Sequence, residues 1–109
     1  MKTLYVRTEY KVYKDCFLRV GRYWSDGSIS VTIWNKNDGC IASVTTSLND
    51  HSLREDEAYV DTNNCPWAVL FLERNGFAKR TGIEGRSGYC KYPVMKFNRK
   101  KMEEYEEDK

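Results

Sequence analysis

Between Thr3 and Leu48 apolar and polar side chains alternate, and only short polar turns interrupt the pattern. A period of two sends successive side chains to opposite faces of an extended chain, so this half is confined to half-buried antiparallel strands. In TLYVRTEYKVY, Leu4, Val6, Thr8, Tyr10 and Val12 share one face, and Arg7, Glu9 and Lys11 the other. That pattern predicts one strand running through Val12. In DCFLRVGRYW a second strand sets Cys16, Leu18, Val20 and Trp24 together. Asp26-Gly27 then supplies a hairpin turn, because glycine takes the positive φ that tight turns need. SISVTIW returns with Ile29, Val31 and Ile33 on one face and Ser30, Thr32 and Trp34 on the other, and Asp38-Gly39 turns the chain into CIASVTTSL. The expectation is a β-meander.

Past Leu48 the pattern changes. Residues 49–57, NDHSLREDE, are polar and read as a loop, and AYV as a brief strand. A helix is expected over about 65–75, capped by Asn64 or Cys65, with Pro66 in its first turn and Gly76 at its end. It carries Trp67 to Leu72 without a polar residue, so it should be buried and packed on the sheet. TGIEGRSGYCKYP spaces Gly82, Gly85 and Gly88 three apart and reads as a loop leading to a last strand, YCKYPVMKFN. Pro93 cannot donate a ladder hydrogen bond, which assigns that strand to a sheet edge. The whole is α+β: one domain over residues 1–101 and an acidic tail over 102–109.

Composition narrows the setting. With 109 residues, 40% hydrophobic and 31% charged, the chain is long enough for one core and too apolar to stay disordered. No apolar run has the length of a membrane span, and the N-terminus lacks a signal-peptide core, so a cytoplasmic protein without a membrane partner is expected. Cys16, Cys40, Cys65 and Cys90 are read as reduced, packed thiols. Zinc sites bring ligands in close pairs, and none is present, so neither metal nor cofactor is expected.

Charge is unevenly placed. Residues 79–101 hold eight basic side chains against Glu84 alone, a net +7, and residues 102–109 carry a net −4. Within GYCKYPVMKFNRKK, Tyr89, Tyr92 and Phe97 are interleaved with Lys91, Lys96, Arg99, Lys100 and Lys101. Aromatic faces stack on bases while cations follow phosphates, which makes this stretch, with Arg80 and Arg86, a candidate surface for single-stranded nucleic acid. The competing reading is ordinary core filling by tyrosine. Trp34, opposite its strand's apolar face, is a candidate for docking a protein, because tyrosine and tryptophan dominate interface hot spots.

Catalysis finds little footing. The glycine loop lacks the Gly-Lys-Ser/Thr of a phosphate loop and its strand-to-helix setting. A milder alternative is an anion nest of successive backbone amides, supplemented by Arg80 and Arg86. His51 sits in the polar stretch without a visible partner. Cys65 at a helix start is the one thiol whose pKa a helix terminus would lower. A non-enzymatic protein is expected.

Three stretches, GRYWSDGSISVTIWNKNDGCIASVTTSL, AYVDTNNCPWAVLFLERNGFA and TGIEGRSGYCKYP, occur in that order. Together they resemble a small domain-of-unknown-function family encoded by gut bacteria on conjugative elements and phages. The resemblance spans roughly residues 19–98 and implies a mobile-element accessory protein with no catalytic residues to carry over. Two functions fit. One is an inhibitor of a host defence protein or nucleoprotein complex, of the anti-CRISPR kind, in which Glu103, Glu104, Glu106, Glu107 and Asp108 imitate phosphate in a nucleic-acid channel. The other is a small single-stranded DNA- or RNA-binding accessory protein.

Overall fold

A computed structural model describes residues 1–107. Two four-stranded antiparallel sheets make up most of it. The first contains β1 (Leu4–Arg7), β2 (Val12–Arg22), β3 (Ile29–Asn35) and β4 (Gly39–Ser43), in that order. It is the expected meander. The second contains β5 (Thr45–Thr46), β6 (Glu57–Val60), β7 (Ala78–Ser87) and β8 (Cys90–Phe97), in the order β5-β6-β8-β7. Two short helices complete the described residues, α1 (Ala68–Arg74) after β6 and α2 (Arg99–Glu103) after β8.

The two sheets share one core. Leu4, Val6, Leu18, Ile29, Val31 and Ile33 come from the first, and Ala58, Val60, Ala78, Met95 and Phe97 from the second. Phe71, Leu72, Phe77 and Met102 join the same cluster from α1, α2 and the start of the last hairpin. Val44 N–H donates to Val31 O at 3.1 Å, and the Thr45 hydroxyl accepts from Val31 N–H at 2.9 Å. These bonds carry the chain from one sheet to the other and pair the backbone groups of Val31 and the N–H of Val44 as it crosses.

Several local expectations are corrected. The first strand is not continuous to Val12. It breaks after Arg7, and Thr8 Oγ1 accepts from the Tyr10 and Lys11 N–H groups at 3.2 and 3.3 Å. A threonine hydroxyl that takes local backbone donors competes with strand pairing, so β1 and β2 form a hairpin instead. Trp24 is not on the inner face of β2: the strand ends at Arg22, and Trp24 stands in the following turn, fully exposed.

The expected helix over 65–75 is shorter and one-sided. Neither Asn64 nor Cys65 caps it; Trp67 occupies the cap position with no side-chain bond, and Cys65 N–H donates to Asp61 O at 2.8 Å. Ala68, Phe71 and Leu72 are buried while Leu70 is 53% exposed. The unbroken apolar run therefore covers the core with one stripe only. Gly76 does end the helix, at φ 71.

The last strand is not an edge. β8 lies between β6 and β7, and β7 is the edge. Pro93 is accommodated because β6 pairs only with Val94, Met95 and Lys96, and because the β7 register shifts beside its pairing with Glu84, between Arg80 and Glu84. Proline is tolerated where the ladder is already interrupted.

The C-terminal residues are built into the fold. Met102 is fully buried, and Tyr105 packs edge-on against Phe77 with ring centroids 5.2 Å apart. Leu18 N–H donates to Tyr105 O at 2.8 Å and Glu107 N–H to Leu18 O at 3.3 Å, so residues 105–107 run parallel to β2 beyond the end of β1.

Candidate functional site

The glycine-spaced stretch that reads as a loop is a hairpin. β7 runs through Ser87, Gly88 and Tyr89 form the turn, and β8 begins at Cys90. Gly88 sits at φ 61, the left-handed conformation that a two-residue hairpin turn requires. The anion nest is corrected with it: residues 81–87 are strand, and Ile83 N–H is taken by Thr81 Oγ1 at 3.1 Å.

The hairpin register sorts the basic side chains into pairs. Lys79 faces Lys96, and Arg86 faces Lys91. Directly opposed residues of an antiparallel pair share a face, and like charges so placed repel. Lys91 and Lys96 are an odd number of residues apart on β8, so the two pairs fall on opposite faces of the ribbon. Arg80 is held by Glu73 at 3.1 Å and Lys96 by Asp56 at 3.7 Å. Among the described residues Arg86 and Lys91 enter no ion pair. Between them in sequence, Tyr89 at the turn is fully exposed. Tyr92 is half-buried and shares the other face with Cys90.

The hairpin's bearing on the body is set by Tyr59 of β6. Its ring covers Gly85, leaving no room for a side chain there. Its hydroxyl donates to Asp50, whose loop is tied through Asp26 to the β2–β3 turn: Asp26 accepts from Ser47 Oγ at 2.9 Å and from Asp50 N–H at 3.3 Å. Burial and the bond to Asp50 push the Tyr59 phenol up to about 12. The bonds from Tyr59 and Ser52 hold the Asp50 carboxyl down at about 2. Sequence reasoning passed over Tyr59, because only the folded chain brings residue 59 over residue 85.

The remaining candidates are dispersed. Trp34 belongs to the first sheet, where the Arg19 guanidinium stacks 3.9 Å from its ring centroid and its Nε1–H donates to Thr32 at 2.8 Å. Arg99 and Lys100 are exposed at the start of α2, and Lys101 pairs with Glu104 at 3.6 Å. Of the acidic residues, Glu104 also pairs with Lys2 at 2.7 Å and Glu107 with Arg19 at 3.1 Å. Glu103 is exposed and Glu106 half-buried beside Leu18, while Asp108 lies outside the described residues.

The four cysteines are free thiols. Cys65 is buried, and burial followed by the nearby Asp61 charge pushes its thiol up to about 11, opposite to what a helix start would do. His51 is exposed. Among the described residues no helix is long and apolar enough to cross a membrane, and no group of three or more His, Cys, Asp or Glu side chains is placed to hold a metal ion.

No curated protein and no solved structure matches the chain. A family model does: it covers residues 17–109, which leaves out β1 and the start of β2 and takes in the whole of the hairpin, and by that match the chain belongs to the family described as Domain of unknown function (DUF4313).

Proposed function

We propose that the protein is a non-enzymatic, single-stranded nucleic-acid-binding accessory protein of a mobile element, and that the end of the β7–β8 hairpin is its contact surface. The observation that carries this reading is the opposed pair Arg86 and Lys91, exposed and without an acidic partner among the described residues, beside the fully exposed Tyr89. Two like charges facing each other across a ladder lower stability unless an anion bridges them. A phosphate backbone supplies that anion, and an unpaired base supplies a face for Tyr89. The acidic tail supports a phosphate-imitating role less well, since Glu104 and Glu107 are already engaged by Lys2, Lys101 and Arg19.

The test is fluorescence anisotropy with labelled single-stranded DNA and RNA across a salt series. Binding should weaken as salt rises, because phosphate contacts release counterions. Arg86→Gln with Lys91→Gln should weaken it further, and a duplex competitor should displace the probe poorly. Absence of binding, or binding that the double variant leaves intact, removes this reading.

A second reading, docking to a host defence protein or nucleoprotein, is favoured by one other observation. Tyr5 and Leu70 stand exposed on the rim of an open apolar groove that runs past Trp67. Substituting Tyr5 and Leu70 by serine separates the two: nucleic-acid affinity should be unchanged, and capture of a purified defence complex lost.

A further inference from the structure

The geometry points to a second, separate site: a cleft at the base of the hairpin that takes a small phosphate monoester. The cleft is about 580 Å³, within the range of small-ligand sites. Lys79 and Lys96 stand directly opposed across β7 and β8, and Arg99, two residues past the end of β8, closes the cationic side. Among the described residues neither Lys79 nor Arg99 enters an ion pair. The nearby carboxylates are already engaged. Glu73 holds Arg80 at 3.1 Å, Asp56 sits 3.7 Å from Lys96, and Glu57, facing Lys96 from β6, accepts from Arg54 N–H at 2.9 Å. The charges of Lys79 and Arg99 are therefore left without an acidic partner along this cleft, while Ala78 and Phe97, the next pair in the ladder, turn their side chains into the core.

The rim decides the ligand. Asp56 and Glu73 line the same cleft as the three cations. A continuous polyanion crossing the cleft would run against these carboxylates. One compact phosphate would not, and the carboxylates would accept hydrogen bonds from hydroxyl or amino groups at the ligand's other end, while Asn98 Oδ1 is taken by Lys101 N–H at 3.1 Å. That describes a sugar phosphate or a nucleoside monophosphate. The phosphate itself would bridge Lys79, Lys96 and Arg99 through charge-assisted hydrogen bonds, relieving the repulsion across the ladder. This site faces away from Arg86 and Lys91 and does not depend on the nucleic-acid reading.

The experiment is a two-dimensional amide NMR titration of the full chain with adenosine monophosphate, with adenosine, and with inorganic phosphate, at constant ionic strength. The monophosphate should shift the amides of Lys79, Lys96, Asn98 and Arg99 saturably, and bind tighter than inorganic phosphate. Lys79→Gln with Arg99→Gln, both exposed, should keep the spectrum of a folded chain and weaken binding about tenfold or more through loss of charged hydrogen bonds. Arg86→Gln with Lys91→Gln should leave it unchanged. The proposal fails if no saturable shift appears at millimolar monophosphate, or if the Lys79/Arg99 variant binds as well as the parent. It also fails if a short oligonucleotide perturbs these amides at concentrations where the monophosphate does not, because the phosphate recognised would then be that of a nucleic-acid chain.

Discussion

Gly85 of β7 lies beneath the ring of Tyr59 of β6: a methyl group built on Gly85 would stand 2.8 Å from Tyr59 Cζ and 2.9 Å from its oxygen. Neither residue is next to the other in the ladder, since β8 separates their strands. The ring thus reaches across β8 and seats the hairpin that carries Arg86, Tyr89 and Lys91.

Gly85→Ala should therefore cost about 1–3 kcal/mol, the usual penalty for overpacking a closed contact. Gly21→Ala is the control: nothing lies within 4 Å of a methyl group there, and its φ is not in the left-handed region. That substitution should change stability by less than about 0.5 kcal/mol. Urea denaturation of the two variants beside the parent measures both.

The hydrogen bond from Tyr59 to Asp50 should give stability a pH dependence at both extremes. Asp50 titrates at about 2 in the folded chain against an ordinary 3.8, so its contribution is present above that ordinary value and is lost as pH falls toward about 2. Tyr59 is raised from 10.0 to about 12, so its contribution is present below pH 10 and is lost as pH rises through about 12. Tyr59→Phe should flatten both limbs in a series of melts against pH. Parallel curves for variant and parent would show that the bond does not couple to folding.

Met102→Ala should destabilise the fold by about 2–5 kcal/mol, as emptying a closed core position does. A chain ending at Lys101 should be worse, because it also loses Tyr105 and the bonds that residues 105–107 make to Leu18. Glu104→Gln and Glu107→Gln should each leave the melting temperature nearly unchanged, because exposed ion pairs contribute little. Thermal melts distinguish a built-in C-terminus from a dispensable acidic appendage. The same result bears on binding studies: the tail has to be neutralised by substitution, not removed.

On single-stranded nucleic acid, Arg86→Gln with Lys91→Gln should lower the slope of log affinity against log salt by about 1.4, two phosphate contacts at about 0.7 each. Tyr89→Ala should weaken binding by about 1–3 kcal/mol and leave the slope unchanged, since stacking releases no counterion. An anisotropy salt series on the two variants separates electrostatic from stacking contributions.

Thiol labelling at neutral pH should modify Cys40 and Cys90 well before Cys16 and Cys65. The first two are exposed and half-buried, while the other two are buried with thiols pushed up to about 11. Mass spectrometry of peptides after brief maleimide treatment reads the order, and unfolding should equalise it.

Local sequence determined the meander. Alternation in Ile29, Val31 and Ile33 and the glycines of Asp26-Gly27 and Asp38-Gly39 act over a few neighbouring residues, and no distant contact has to intervene. The same local evidence misled where a distant partner decides. Thr8, Tyr10 and Val12 continue the alternation of Leu4 and Val6, yet only Leu4 and Val6 find a core to face. The spacing of Gly82, Gly85 and Gly88 suggests a loop, but Gly85 is glycine because Tyr59 packs on it, a contact across 26 positions that periodicity cannot register. Pro93 marks an edge by rule, and the β7 irregularity beside its pairing with Glu84, with no β6 partner on its other side, admits the residue to an inner strand. The basic surplus of residues 79–101 was legible as composition. Its division into the exposed pair at the hairpin end and the cleft at its base was decided by cross-strand register, which exists only once β7 and β8 have paired.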